Sequence, residues 1–459
     1  MRLPKGLAGL AALRRRTARE AGTGASQDAD PTEDAAPARR STFRALRHRN
    51  FRLFFLGQAI SLPGTWMQTI AQAWLVLEIT DSKAALGLTV FLQFIPVTIF
   101  TLFAGVIVDR APKRDFILMA QVLAMAQALA LTVLVWSGQV EIWHVYILAV
   151  VLGLANAVDF PSRQAFVVEM VGKDDIMNAM SMVAGIFNTA RLIGPALGGV
   201  VIAVVGLKVA FLINAVSFVP VIGALLAIDT KGLHREVRHA DGPLDLMGEL
   251  REGLAFALRT PATLVVIIGI ASVGTFGFNY VVILPLVAKY LLNGGSEQLG
   301  FLTAATGFGA LISALALAGR ARPTKHILYA GGFVFSAMFG GMALSGWFPA
   351  TLLILVGMGT AATAFTLTAN TSIQLATPDH LRGRVMALYV LLLAGSTPFG
   401  AYFSGFLAEE ISVRAAIYIN GALCGAGVAA SLLYYLTHRE AVRQTEHAGG
   451  FAEARTHAV

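Results

Sequence analysis

Asp159 and Arg163 stand four residues apart inside an otherwise apolar stretch, 143–168, with Asn156 one turn before them. At these spacings all three share one face of a helix, and the carboxylate and guanidinium can pair along it. An isolated carboxylate so placed is a candidate proton carrier, whereas one held by Arg163 stays ionised and structural. A third charge, Arg191, lies in Asn188-Thr-Ala-Arg191-Leu-Ile-Gly194-Pro195-Ala-Leu-Gly198-Gly199. In apolar surroundings a charge is costly, so Arg191 is read either as functional or as bonding carbonyls across a helix interface. Gly194, Gly198 and Gly199 flatten one face for close helix contact. Pro195 removes a backbone hydrogen bond and kinks the helix.

Gln58, Ser61, Thr65, Gln68 and Gln72 follow one another at intervals of 3, 4, 3 and 4, which is one helical stripe. Facing hydrocarbon, the amides would be unsatisfied. They must face a wet cavity or another helix, and lining a substrate cavity is the favoured reading. Gln93, Asn279, Thr363 and Asn370 are similar but more isolated, and Trp66, Met67, Trp74 and Phe278 stand nearby as pocket walls or packing. Gly105-Val-Ile-Val-Asp109-Arg110-Ala-Pro-Lys113-Arg114 sets a carboxylate among cations at the end of an apolar run. That cluster reads either as a latch that can be made and broken or as an ordinary basic loop. No G-x-x-x-x-G-K-[ST] loop, no G-x-S-x-G elbow and no His/Cys/Asp metal spacing is present, so neither an ATP motor, an enzyme, a cofactor nor a metal is expected.

The elements that must hold these residues follow from composition. The 459 residues are 56% hydrophobic and 14% charged, with a mean hydropathy of +0.68. That is too much apolar surface for one soluble core, and lipid is the solvent that suits it. A span needs about 20 apolar residues. Twelve fit, near 51–77, 84–108, 115–136, 143–168, 177–204, 208–228, 262–288, 297–318, 326–346, 350–375, 384–408 and 414–436. Counting from the outer start of the fourth span, Asp159 lies about 24 Å deep at 1.5 Å per residue. Of the 35 Lys and Arg residues, 28 fall in the tails and the loops after even-numbered spans, and only Lys83, Lys208, Lys289 and Arg414 in the loops of the other side. This bias puts both termini in the cytoplasm, and it explains the net charge of +8 without nucleic acid.

Residues 1–41 read as a disordered cytoplasmic tail with no cleavable signal, 7–19 having the option of a short basic surface helix. Residues 42–228 form one six-span set and 262–436 another, and 437–459 a second tail. Between the sets, linker 229–261 carries Leu244, Met247, Leu250, Leu254 and Leu258 at helical spacing, an amphipathic helix expected to tie the halves at the membrane surface. The halves echo each other. Asp175 through Met180 resembles His380 through Met386, Gly194-Pro195 falls against Pro398-Phe399-Gly400, and Arg110-Ala111-Pro112-Lys113 against Arg320-Ala321-Arg322-Pro323. The expected fold is an all-α membrane protein of two pseudo-symmetric six-helix bundles, with substrate between them.

Together these features resemble the major facilitator superfamily over residues 41–437. Asn50-Phe51-Arg52-Leu53, Asp159-Phe-Pro161-Ser-Arg163-Gln164-Ala165, the Gly-Pro element, and Leu381-Arg382-Gly383-Arg384-Val385 are similar to the branch that holds the enterobactin exporter and drug exporters. The resemblance implies a secondary transporter of the plasma membrane, working as a monomer by alternating access and exporting a siderophore- or drug-like molecule against protons. It implies that Gly105, Asp109, Arg110 and Arg114 gate one state and that Gly194, Pro195, Gly198 and Gly199 belong to an antiporter element. It also implies that helices 1, 4, 7 and 10 line the cavity, with Asp159, Arg163 and Arg191 as coupling candidates. Pro112 stands where the superfamily has glycine, Asp115 where it often has a basic residue, and helix 1 lacks the carboxylate that carries protons in some members. Import or uniport of a metabolite, and a non-transporting scaffold or sensor, are the competing readings.

Overall fold

The computed structural model describes residues 43–445 except 111, 235–245 and 318–323, and within that range the side chains of 101–110, 246, 247, 249 and 250 also lie outside the description. The two tails of the sequence reading, 1–41 and most of 437–459, therefore fall outside it. Twelve long helices follow in order: α1 Arg49–Thr80, α2 Lys83–Arg110, α3 Lys113–Ser137, α4 Ile142–Val171, α5 Ile176–Val205, α6 Leu207–Ala227, α7 Pro261–Leu291, α8 Ser296–Leu317, α9 Lys325–Leu344, α10 Phe348–Ala376, α11 Asp379–Glu410 and α12 Val413–Thr437. Each coincides with one expected span. Among the described residues eleven are long and apolar enough to cross a bilayer; the exception, 32-residue α1, carries the glutamine stripe.

Two helices are interrupted where their sequences demand it. α11 widens to a π-turn over Leu391–Gly395 because Pro398 cannot donate to Ala394 and its ring crowds that carbonyl. α7 widens over Val273–Gly277, loses helical pairing at Phe278 and Asn279, and restarts at Tyr280. The linker helix Leu246–Arg259 docks on the start of α11. Gly253 lies against the Arg384 backbone, Glu252 pairs with Arg384, and Leu254 and Leu258 stay exposed. That leaves an apolar edge free for the membrane surface.

Within the first half α1 packs on α5 and α6, α2 on α4, and α3 on α4 and α6; in the second, α8 packs on α10, α9 on α10 and α12, and α7 on α12. Two seams join the halves, α5 on α8 and α2 on α11. The repeat read from the sequence pairs α5 with α11 and α2 with α8, so the two seams are one contact used twice. Both are built from glycine. A Cβ on Gly199 would come 2.5 Å from the Ser296 carbonyl and 2.9 Å from Gly300 Cα, and one on Gly405 2.7 Å from the Lys83 carbonyl and 2.8 Å from Gly87 Cα. Backbones approach this closely only without side chains.

Gly405→Val is accordingly expected to cost about 1–3 kcal/mol through overpacking, read as a lowered Tm in detergent. Gly340→Ala, whose Cβ would meet nothing nearer than Tyr418 at 3.8 Å, should leave Tm unchanged.

Candidate functional site

A cavity of about 210 Å³ lies between the halves. The first half contributes Trp66, Thr69, Ile70 and Ala73 from α1 with Arg191 and Pro195 from α5; the second contributes Phe278 and Tyr280 from α7, Thr303 and Thr306 from α8, and Thr363 from α10. The interruption of α7 is what turns Phe278 and Tyr280 to one space from either side of the break, as discontinuous helices do at midplane sites. Phe278 is braced by a stacked contact with Phe335 at 5.9 Å, and Trp66 by an edge contact with Phe187 at 5.8 Å. Gly194 allows the approach of α1, since a Cβ there would lie 2.6 Å from that of Trp66; Gly198 does the same against Met67. The walls are mostly apolar and aromatic, with threonine hydroxyls and one guanidinium. Among the described lining residues there is no carboxylate.

The glutamine stripe faces elsewhere. Gln68 Nε2 donates to Gln127 Oε1 at 2.7 Å, and its Oε1 accepts from Asn214 Nδ2. Gln72 Nε2 donates to Gln93 Oε1 at 3.0 Å. Gln58 Oε1 accepts from Arg163, which also pairs with Asp159, and Asp159 takes a further bond from Gln121 Nε2 at 3.0 Å. Thr65 bonds back to the Ser61 carbonyl at 3.2 Å. All three amides and Asp159 are at least 95% buried. The interhelical reading is thus the arrangement observed, and the cavity is lined by the neighbouring face of α1. Turning a stripe of amides to the bundle satisfies them without water.

Other candidates are placed as follows. Asn279 donates to the Thr275 carbonyl at 2.8 Å and sits beneath Gly400, and Asn370 accepts from Gln374 at 2.5 Å; neither lines the cavity. Arg114, expected in a latch, donates to the Leu225 and Leu226 carbonyls at 2.7 and 3.2 Å and so caps the end of α6. The side chains of Gly105, Asp109 and Arg110 lie outside the described residues. Gln121, Gln127 and Asn214 went unread in the sequence, though each is a lone amide in an apolar run and so calls for a partner.

A second cluster was not expected at all. On the face opposite the linker helix, Lys289 of α7 donates to the Leu77 carbonyl and to Asp81 Oδ1, both at 2.7 Å, and Tyr290 donates to the same oxygen at 2.7 Å. Asp81 holds the turn after α1 in a left-handed conformation, φ 50°. Glu409 of α11 accepts from the backbone N–H of Lys83 at 2.6 Å and of Ala84 at 3.2 Å, so a residue of the second half caps a helix of the first. The polar contacts between halves concentrate here and continue inward to Thr98, which donates to the Gly395 carbonyl at 3.1 Å. The hydrogen bonds from Lys289 and Tyr290, then the Lys289 charge, hold the Asp81 carboxyl below its ordinary range against a smaller effect of burial.

Residues 40–455 match the transmembrane secretion effector family. The Staphyloferrin A transporter of Staphylococcus aureus is 25% identical over 395 residues, covering 85% of this chain and 96% of that protein. Macrolide efflux protein A of Streptococcus pyogenes is 23% identical, with 82% and 95% covered, and the multidrug efflux pump Tap of Mycolicibacterium fortuitum 26% identical, with 77% and 87% covered. Among solved structures, a POT family transporter in complex with a thioalcohol-conjugated peptide shares the fold at TM-score 0.68 and 11% identity, covering 86% of this chain and 99% of that one. The nucleoside transporter NupG does so at 0.65 and 10%, covering 84% and 99%.

Two outcomes are expected. Gln68→Leu strands buried partners on α3 and α6 and should destabilise the protein by about 1–3 kcal/mol, measured as a lower Tm. Closing the far face lowers the Asp81 pKa, so closure is favoured while that carboxylate is ionised and loses this support as pH falls through the lowered value. Asp81→Asn should abolish that pH dependence. It should raise labelling of a Thr69→Cys cavity probe by a far-face maleimide a few-fold only, because the pair is exposed.

Proposed function

We propose that this chain, which belongs to the transmembrane secretion effector family of major facilitator transporters, exports a small amphipathic molecule across the plasma membrane by alternating access. The family and its relatives are multi-pass membrane transporters, not enzymes. The carrying observation is a cavity walled by both halves, with polar contacts joining the halves on one face. Positive charge concentrates on the side of the linker helix, which we read as cytoplasmic, so the Asp81–Lys289–Tyr290 and Glu409 contacts form the outer gate. Substrate enters from the cytoplasm or inner leaflet. The halves then pivot along the glycine seams, the outer contacts part, and the loop with Gly105, Asp109 and Arg110 closes the inner side. The cavity is complete within one chain, which favours a monomer. Efflux, rather than uptake, is supported by the names of the macrolide and multidrug relatives.

Protons are the proposed counter-ion. Among the described residues Asp159 is the carboxylate set furthest inside a span, and its neutralisation would release Arg163 from the pair that also holds Gln58. The coupling pair on α4 and the cavity then both meet α1, the first through Gln58 and the second through Trp66.

The test is accumulation of macrolide, drug and siderophore substrates in a pump-deficient bacterium. Expression should lower accumulation of at least one compound several-fold, and both a protonophore and Asp159→Asn should remove the effect. A reduction that persists with the protonophore present would exclude proton coupling, and no reduction for any compound would exclude export.

A further inference from the structure

Within the proposed transport cycle, the donors and acceptors of the cavity wall specify what the substrate must carry. Thr69, Thr303 and Thr306 line the cavity, but their hydroxyl protons are already given to backbone carbonyls one turn back, at 3.2, 2.9 and 2.7 Å. What they present to a ligand is oxygen lone pairs. Of the wall donors without a hydrogen-bond partner among the described residues, which include the Trp66 indole and the Thr363 hydroxyl, Arg191 carries the charge. Arg191 makes no hydrogen bond or ion pair among the described residues, and the Tyr280 hydroxyl is buried with no hydrogen-bond partner. The two are close enough to interact electrostatically.

No described carboxylate pairs with Arg191, and those named above are engaged elsewhere. Asp159 is held by Arg163 and Gln121, Asp81 by Lys289 and Tyr290, and Glu409 by the start of α2. A guanidinium left without a counter-charge in a low-dielectric space is costly unless an anion or water arrives to meet it. Its planar fork matches an oxyanion with two acceptor oxygens. Trp66 and Phe278 supply flat apolar surface in the same cavity.

We infer that the transported molecule is a small organic anion, in which a carboxylate or similar oxyanion is gripped by Arg191 with the Tyr280 hydroxyl while an apolar, preferably aromatic, body lies against Trp66 and Phe278. Arg191 is therefore a specificity-determining residue, beyond the role in coupling that its position alone suggested. Because this rests on the transport reading, the test measures binding apart from transport.

Full-length protein in nanodiscs is titrated with three radiolabelled probes that share one ring system: naphthylacetate, naphthylacetamide and naphthylmethylammonium. Naphthylacetate should bind about tenfold or more tighter than the amide, the gain expected of a charge-assisted hydrogen-bonded pair, and the ammonium weakest. Arg191→Gln should bring carboxylate and amide to equal affinity, with the amide still binding saturably, which also reports an intact cavity. Arg191→Lys should keep part of the preference, and Tyr280→Phe should weaken the carboxylate several-fold. The inference is overturned if the amide or ammonium binds as tightly as the carboxylate, if the preference survives Arg191→Gln, or if the carboxylate shows no saturable binding. Anion-selective binding without efflux of any compound from cells would instead retain the anion site and remove the transport reading.

Discussion

Every amide carried into a bilayer among helices must find its hydrogen bonds there, and Gln68 finds them on two helices at once, donating to Gln127 of α3 and accepting from Asn214 of α6. That requirement fixes how α1 is turned. With Gln58, Gln68 and Gln72 directed into the first half, Trp66, Thr69 and Ala73 on the neighbouring face become cavity wall. The chemistry of the cavity is in this sense a consequence of where the glutamines had to go. Gly64 belongs to the same arrangement, since a Cβ there would lie 2.5 Å from the Ser217 hydroxyl and 2.9 Å from Asn214 Oδ1.

The interior of the first half and the joint between halves are held by different forces. Inside, buried amides and the Asp159–Arg163 pair bond to one another, and breaking any one leaves a partner stranded at high cost. Between halves, glycine backbone meets glycine backbone about one helical turn below ion pairs exposed to water. Exposed pairs contribute little each, and close-packed glycine seams can slide without stranding a polar group. A body rigid within and weakly latched across is what rocking requires.

How much of this a reader of the sequence can see depends on whether the determinant is local. All twelve helices were legible, because a bilayer leaves a 20-residue apolar run few alternatives. The polar stripe was legible by its period, but not its destination. An amide facing water and one facing another amide are the same letter, and Gln127 stands 59 residues from Gln68. Arg191 was legible as a charge out of place. The outer cluster was not, because Asp81 and Lys289 are 208 residues apart and each looks like an ordinary loop charge until the fold brings them to 2.7 Å. Nor was the break in α7 visible, for no proline stands at Phe278 or Asn279 and the nearest cue is Gly274 and Gly277. The partner of Arg114 was not visible either, since a cation in a basic loop does not announce that the end of α6 is within its reach.

α1 is where these determinants meet. Gln58, bound to Arg163, and Trp66, in the cavity, are eight residues apart, about 12 Å along a helix axis. Pro63 and Gly64 lie between them, a position where the i→i−4 ladder is already missing a bond and side chains of α6 crowd the helix. A change in charge at Asp159 alters the pull on Gln58 below that point, while an anion arriving at Arg191 alters the neighbourhood of Trp66 above it. In the proposed cycle neither event needs to touch the other. Both act on one helix with a weak point between them, which is the link from proton to substrate that the proposed cycle uses.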